Sequence, residues 1–216
     1  MPNTPIKPRR YRGASGDQRR AERYQQLIDA GLAVIGDAGY QACSVRSICA
    51  EAGLTERYFY ESFANKEALL AEIYHAQTDY LKATMLAAFA HAERNSEAFA
   101  NAGLRAFFET LHQNPAIARL LLFEILGVSD TIDRLYYEAM EEFAVLIRSL
   151  ASSLGLADIA NMPNQDIIYA GLVGAVIQIA RRWALTGYQD SVDAVVASSL
   201  FLFVATSNYT ERTYKL

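Results

Sequence analysis

Hydrogen-bonding side chains are concentrated between residues 44 and 66 of this chain. Arg46 and Arg57 can each form the paired hydrogen bonds that a guanine edge accepts, and Thr55 and Tyr58 can contact a thymine methyl group. We therefore predict that these four side chains contact base edges of a nucleic-acid duplex. For the two arginines, ordinary surface charge is the alternative.

Two further residues lie at predicted helix starts, where unpaired backbone N–H groups attract anions. Ser44 precedes one helix, and Lys66 adds a positive charge to the first turn of another. Both are predicted to contact phosphates, which position a protein on a duplex without reading its sequence.

Two short helices joined by a tight turn must hold these groups. Ser44 is predicted to cap the first helix, and Gly53 to end it in the left-handed conformation. Thr55 is predicted to cap the second helix, in which Phe59 and Phe63, four residues apart, face inward. Four residues of that second helix then face outward: Glu56, Arg57, Tyr58 and Ser62. The pattern predicts a helix-turn-helix.

The segments Ala50–Thr55, Tyr58–Phe63 and Asn65–Leu70 resemble the N-terminal domain of the tetracycline-repressor (TetR) family of bacterial regulators. The resemblance covers roughly residues 20–70. It implies that Tyr60 hydrogen-bonds a backbone phosphate. It also implies a homodimer that binds a double-stranded DNA operator, with repression as the usual mode.

Two carboxylates depart from the family pattern. Glu56 and Glu61 lie on the predicted DNA-reading helix, where they would repel phosphates unless Glu56 accepts from a cytosine amino group or pairs with Arg57. They motivate an alternative function, a dimeric helical protein-interaction module whose helix-turn-helix does not bind DNA.

Composition and charge suit a folded protein that presents one surface to phosphates. Of the 216 residues, 52% are hydrophobic and 20% are charged, so extensive disorder is excluded. The net charge is −4, yet residues 1–23 carry seven lysines and arginines against two acidic residues. We predict a flexible basic arm over residues 1–17, whose Arg9, Arg10 and Arg12 reach an adjacent minor groove. A solvated tail is the alternative.

The rest of the chain predicts an all-α fold of about nine helices. A three-helix DNA-binding domain is predicted over residues 18–66, and a ligand-binding and dimerisation domain over residues 67–216. The predicted helices span residues 18–38, 66–91, 96–113, 115–127, 130–154, 164–187 and 191–209, in addition to the two short ones. Asn65, Asn164 and Ser191 are predicted to cap three of them.

The C-terminal domain is rich in aromatic residues, which predicts a mostly apolar ligand cavity. Binding of a small, largely apolar effector is predicted to release the operator. Plain core packing is the alternative for each residue. The predicted cavity residues are Phe107, Leu111, Phe123, Tyr136, Tyr137, Met140, Gln178 and Trp183.

The last two helices have more apolar surface than one domain readily covers. We predict that they form a four-helix bundle with a second copy, although completion of a monomeric core is the alternative. The predicted interface residues are Gly171, Gly174, Ile177, Val196, Leu200 and Phe203. The apolar runs 167–180 and 194–206 are shorter than the ~17–25 residues that a membrane span needs, so a membrane location is not predicted.

Catalysis is not predicted. The three histidines lack metal-site spacing, and neither a phosphate-binding glycine loop nor a nucleophile elbow is present. No cofactor or metal is therefore predicted. Cys43 and Cys49 are interpreted as buried thiols in a reducing cytoplasm.

Overall fold

The computed structural model describes residues 16–153 and 164–214, so the predicted basic arm lies almost entirely outside the described residues. These residues form nine α-helices and one π-helical turn, without strands. The helices are α1 (Gly16–Ala38), α2 (Val45–Ala52), α3 (Glu56–Ser62), α4 (Lys66–Phe89), α5 (Ser96–Gln113), α6 (Pro115–Arg119), α7 (Asp130–Ser153), α8 (Gln165–Leu185) and α9 (Val192–Tyr214). The π-helical turn, Leu120–Glu124, directly follows α6.

The N-terminal domain is built as the sequence predicts. Ile48 of α2 and Phe59 of α3 are completely buried together with Leu27 of α1, so α2 and α3 are held against α1. Gly53 ends α2 with φ of 65°, the left-handed conformation that glycine adopts without steric cost. The predicted helix-turn-helix is confirmed.

The C-terminal body consists of α4 and the helices that follow it. The closest pairs are α5 with α9, α4 with α5, and α7 with α8. α6 and the π-helical turn run through the centre of the molecule, where Leu120, Leu122 and Ile125 are buried. One continuous helix over residues 115–127 was the prediction, and it is wrong. An α-helix of five residues gives way there to a wider π-helical turn.

Helix caps agree with the sequence in most places. The Asn65 side chain accepts from the Ala68 N–H, and the Ser191 hydroxyl from the Ala194 N–H. Thr55 and Asn164 occupy cap positions, but neither side chain makes the predicted capping hydrogen bond. Asn164 has φ of 59°, whereas a capping residue has extended backbone.

The helices α8 and α9 are longer than their apolar runs suggested. By length and composition, Gln165–Leu185 and Val192–Tyr209 are each sufficient to cross a membrane, so the length argument against spanning was wrong. Both helices pack against the body, and core helices of soluble proteins pass the same test. Their exposed faces therefore call for another explanation.

Candidate functional site

The helix α3 presents a polar face because its apolar face is anchored in the core. Phe59 and Phe63 are buried and contact each other, and the Tyr24 ring of α1 stacks on Phe63 with 4.9 Å between ring centroids. Burial also raises the pKa of the Tyr24 phenol to about 12, with a further contribution from Glu72, whose carboxylate accepts its hydrogen bond. Tyr24 of α1 thus contacts the end of α3 through Phe63 and α4 through Glu72.

Three of the predicted DNA-contacting residues point outward from α3 or from its start. The Arg57 side chain is 84% exposed, Tyr60 is 58% exposed, and Thr55 is exposed at the N-terminus of α3. Because the Thr55 side chain makes no capping hydrogen bond, its hydroxyl and methyl groups face solvent.

An ion pair orients the Arg57 side chain. Its Nε donates to Glu61 Oε1 at 3.0 Å, one helical turn away. The pairing of Arg57 with Glu56, considered from the sequence, is not the one found. Residues four apart lie on the same side of a helix, whereas adjacent ones do not. Glu56 remains an exposed carboxylate.

Tyr58 is less accessible than predicted. It is half-buried, and the Arg23 guanidinium of α1 lies over its ring at 4.4 Å. Sequence reasoning did not single out Arg23. It is one arginine in a basic stretch, and the contact depends on how α1 crosses α3.

The Lys66 ammonium has partners inside the protein. Its Nζ donates to the carbonyl oxygens of Tyr40 and Cys43, at 2.9 and 2.8 Å, and lies 4.0 Å from the Tyr40 ring centroid. Lys66 therefore ties the α1–α2 connection to the start of α4, and only one ammonium N–H remains for a phosphate.

The remaining two predicted residues lie on α2. Ser44 caps this helix as predicted. Its hydroxyl accepts from the Ser47 N–H, and the Ser47 hydroxyl accepts from the Ser44 N–H. Arg46 is exposed two residues later.

The C-terminal body contains an apolar cavity of about 170 Å³ between α4, α5, α7, α8 and α9. The end nearer the N-terminal domain is lined by the buried residues Tyr74, Thr78, Phe107, Leu121 and Leu122 and by the partly buried Met140. The far end is partly exposed and is lined by residues that include Ser96, Glu97, Leu150, Ala151, Ile168, Thr206 and Ser207.

Only two of the eight predicted cavity residues, Phe107 and Met140, line this cavity. Leu111 is buried elsewhere in the core, and Trp183 packs against Phe108, His112 and Tyr188. Phe123, Tyr137 and Gln178 are exposed, and Tyr136 is buried beside Tyr137. The prediction of these six as cavity residues is wrong, because aromatic content does not reveal which face of a helix lines a cavity.

The π-helical turn connects the cavity to the N-terminal domain. Its Leu121 and Leu122 line the cavity, and the Leu122 carbonyl accepts a hydrogen bond from Arg181 of α8. On the same segment, Glu124 pairs with Arg119 at 2.9 Å and accepts from the Tyr40 N–H at 2.8 Å.

Arg119 completes this connection by donating to the backbone carbonyls of Gly36 and Asp37 at the end of α1. Gly39, with φ of 85°, leaves the room required: a Cβ there would approach the Arg119 Nη2 to 2.7 Å. Sequence reasoning did not identify this contact.

Residues 27–73, which include α2, α3 and their supports, match the family model for bacterial regulatory proteins of the tetR family. The N-terminal domain belongs to the tetR family. No curated protein sequence matches the chain.

Solved structures of transcriptional regulators share the fold of the whole chain. A fatty acid degradation regulator, FadR, from Bacillus halodurans is 18% identical over 84% of this chain and 94% of its own, with a TM-score of 0.73. A protein from Pseudomonas aeruginosa PAO1 described as a transcriptional regulator is 22% identical over 95% and 98%, with a TM-score of 0.74. FadR from Bacillus subtilis, solved with stearoyl-CoA, is 18% identical over 84% and 97%, with a TM-score of 0.71. The chain therefore has a TetR-like fold throughout.

The predicted interface residues occupy different environments in the protomer. Gly171 and Gly174 are exposed, and a Cβ at either position would meet no other atom within 4 Å. Val196 is buried within the protomer, Leu200 is half-buried, and Ile177 and Phe203 line the cavity. The interface prediction is therefore wrong for Val196, because that side of α9 packs inward.

An outer face of α8 and α9 carries different apolar residues. Ile167 and Leu185 on α8 are 70% and 76% exposed, and Phe201 on α9 is 71% exposed. Together with Gly171 and Gly174 they make up what we call the outer face. Among the described residues, no cluster of three or more His, Cys, Asp or Glu could hold a metal ion.

Proposed function

We propose that the chain is a cytoplasmic DNA-binding transcriptional regulator, a repressor that leaves a near-palindromic operator when an apolar ligand fills the cavity. The observation that carries this proposal is the exposed polar face of α3, held on its buried Phe59 and Phe63 anchors within a tetR-family domain. A short, rigidly supported helix with exposed hydrogen-bonding groups is what the major groove admits.

The contacts divide into base readout and positioning. Thr55 and Arg57 reach base edges from α3, and Arg46 does so from α2. Tyr58 contributes through the part of its ring that Arg23 leaves accessible. Tyr60 donates to a backbone phosphate, and the start of α2 at Ser44 provides a second phosphate contact.

Lys66 supports phosphate binding mainly by holding the backbone that precedes α2 in place. It fixes the connection that leads into α2, and its remaining N–H adds a positive charge near the duplex.

Two copies associate through the outer face of α8 and α9. The glycines allow the helices to approach closely, and the large apolar residues are covered by the partner, as in a four-helix bundle. The two α3 helices then meet half-sites whose centres are about 34–36 Å apart, or a multiple of that distance.

The ligand is a molecule with an apolar chain. The apolar lining of the cavity supports this assignment, and two structures with the same fold are FadR proteins, one of them solved with stearoyl-CoA. A ligand that fits only a conformation with misaligned α3 helices lowers operator affinity, typically about 5- to 150-fold.

The route from ligand to DNA runs through the π-helical turn. Displacement of Leu121 and Leu122 by the ligand shifts Arg119 and Glu124, which hold the end of α1 and the Tyr40 backbone. Lys66 of α4 is hydrogen-bonded to the same segment between α1 and α2. A shift of this segment therefore moves α2 and α3 as one unit.

A protein-interaction module remains the second candidate, since Glu56 is an exposed carboxylate on the DNA-facing side of α3. The experiment that separates the two is selection of duplexes from a random pool, followed by affinity measurements over a range of salt concentrations. A regulator enriches a near-palindrome and gives a steeply negative log–log dependence on salt. An interaction module enriches no sequence and binds DNA weakly at any salt concentration.

A further inference from the structure

Among its described lining residues, the cavity that we propose as the ligand site has one charged side chain, the carboxylate of Glu97. Among the described residues that line it, none is a lysine, arginine or histidine. Its buried polar groups are hydroxyls: Thr78 Oγ1 lies 3.0 Å from the carbonyl oxygens of Tyr74 and His75, and burial raises the pKa of the Tyr74 and Tyr169 phenols. Both phenols are therefore neutral at pH 7.

The partly exposed far end has no excess of positive charge. Glu97 lines the cavity there, in the first turn of α5. The N-terminus of α5 is already satisfied, since the Asn95 side chain accepts from the Ala98 N–H. In the turn before α5, Arg94 is adjacent to Glu93 in sequence. A helix N-terminus that carries its own cap and carboxylate is a poor site for another anion.

The start of α8, beside the same end, is occupied in a similar way. Asp166 lies in its first turn, and Arg148 of α7 is hydrogen-bonded to that carboxylate. The sequence that joins α7 to α8, residues 154–163, contains no lysine or arginine. Arg148 is thus committed to a partner within the protein.

We propose that the cavity binds a single-chain amphiphile with an uncharged head group, in preference to the fatty acid or the CoA thioester of the same chain length. The proposal rests on the proposed function, which places the ligand in this cavity. The hydroxyls of Ser96 and Ser207 at the far end can donate to and accept from an alcohol, and Thr206 Oγ1, which donates to the Leu202 carbonyl, can still accept. The phosphates of CoA require lysine, arginine or open helix N-termini, and a fatty-acid carboxylate would lie beside Glu97.

Calorimetric titration of the full chain with dodecanol, dodecanoate and dodecanoyl-CoA, each below its micelle concentration, tests the preference. We expect dodecanol to bind at least about tenfold more tightly than dodecanoyl-CoA. Equal or tighter binding of the CoA thioester, or no binding of dodecanol, would overturn the proposal.

A charge variant locates the head group. We expect Glu97→Gln to raise the affinity for dodecanoate by about two- to fivefold and to leave dodecanol unchanged, since the exposed carboxylate is screened by solvent. Glu138→Gln, an exposed carboxylate on α7 that does not line the cavity, is the matched control and should change neither affinity. If Glu97→Gln alters both ligands equally, or neither, the head group lies elsewhere and the proposal fails.

Operator release, measured in parallel, separates this inference from the proposed function. If dodecanoyl-CoA binds more tightly than dodecanol and releases the operator, the inference on ligand preference is contradicted and ligand regulation is supported. Preferential binding of dodecanol without any change in operator affinity would support the inference and contradict ligand regulation.

Discussion

Arg57 and Lys66 are both cations near the start of a helix, but they have different partners. Arg57 is exposed and held by a carboxylate one turn away, whereas the Lys66 ammonium lies against two backbone carbonyls. A guanidinium pre-oriented by Glu61 loses less conformational freedom when it meets a base edge. The two residues should therefore respond differently to substitution.

Substitution of Arg57 tests base readout. We expect Arg57→Ala to relax discrimination at one base pair of each half-site by about 1–3 kcal/mol, as a randomised-operator assay would measure. Arg134→Ala removes an exposed arginine from α7 and should leave selectivity intact. Unchanged selectivity in both variants would exclude Arg57 as a base-reading residue.

Substitution of Lys66 tests its structural role. Lys66→Met removes two charge-assisted hydrogen bonds, so we expect the free energy of unfolding to fall by about 2 kcal/mol in urea titrations. A Lys66→Met protein of normal stability would contradict the structural assignment.

Substitution of Tyr60 tests phosphate contact. Tyr60→Phe should weaken binding to all duplexes alike without changing stability, because we propose that the exposed hydroxyl contacts only phosphate.

The two cysteines should be unreactive in the folded protein. Cys43 and Cys49 are buried, and burial raises the pKa of both thiols above the ordinary value, which lowers the thiolate fraction at pH 7. We expect labelling by a disulfide reagent to be far slower in buffer than in urea. Equal rates would show that α2 and its preceding loop open freely.

At the scale of elements, the π-helical turn, like α4, contacts both the cavity and the N-terminal domain. π-helical turns occur frequently at functional sites. Its Leu121 and Leu122 line the cavity and its Glu124 accepts from the Tyr40 N–H, so the same five residues contact the proposed ligand site and the N-terminal domain.

Loss of the Glu124 carboxylate tests this connection. Glu124→Gln weakens the pair with Arg119 and the hydrogen bond from the Tyr40 N–H, so we expect the coupling between ligand and operator to fall by about 0.5–2 kcal/mol. Ligand affinity itself should change little. Glu138→Gln serves as the control, and normal ligand-induced release in Glu124→Gln would contradict the proposed route.

Local signals made the helices predictable from sequence. Ser44, Gly53, Asn65 and Ser191 have side chains or backbone conformations that act within a few residues, and their helix boundaries were placed closely. The π-helical turn was missed because apolar residues all around a segment are compatible with an α-helix or a π-helix.

Residues whose role depends on packing between helices were predicted poorly. Phe107 lines the cavity while Leu111, one turn later on the same helix, does not. Val196 was assigned to a dimer interface because it is apolar, but its side of α9 faces the core. Helix crossing angles and rotations decide such assignments, and one sequence does not contain them explicitly.

At the scale of the whole molecule, the outer face of α8 and α9 is the surface through which we propose that two copies associate. Exposed residues of its size and apolarity mark interaction surfaces on soluble proteins. We expect Phe201→Glu to weaken the dimer, seen as a lower mass in light scattering at micromolar concentration, because the charge would be buried without a partner. Tyr137→Glu, an exposed aromatic residue on α7, is the control and should remain dimeric. A Phe201→Glu protein that stays dimeric would place the interface elsewhere.

Sedimentation of the full chain with and without the duplex selected from a random pool tests the central claim most directly, that two copies bind one near-palindromic operator. We predict a free species of twice the 24.0 kDa chain mass that joins the duplex at low salt and leaves it as salt rises. A 24.0 kDa species whose sedimentation is unaffected by the duplex would contradict the account.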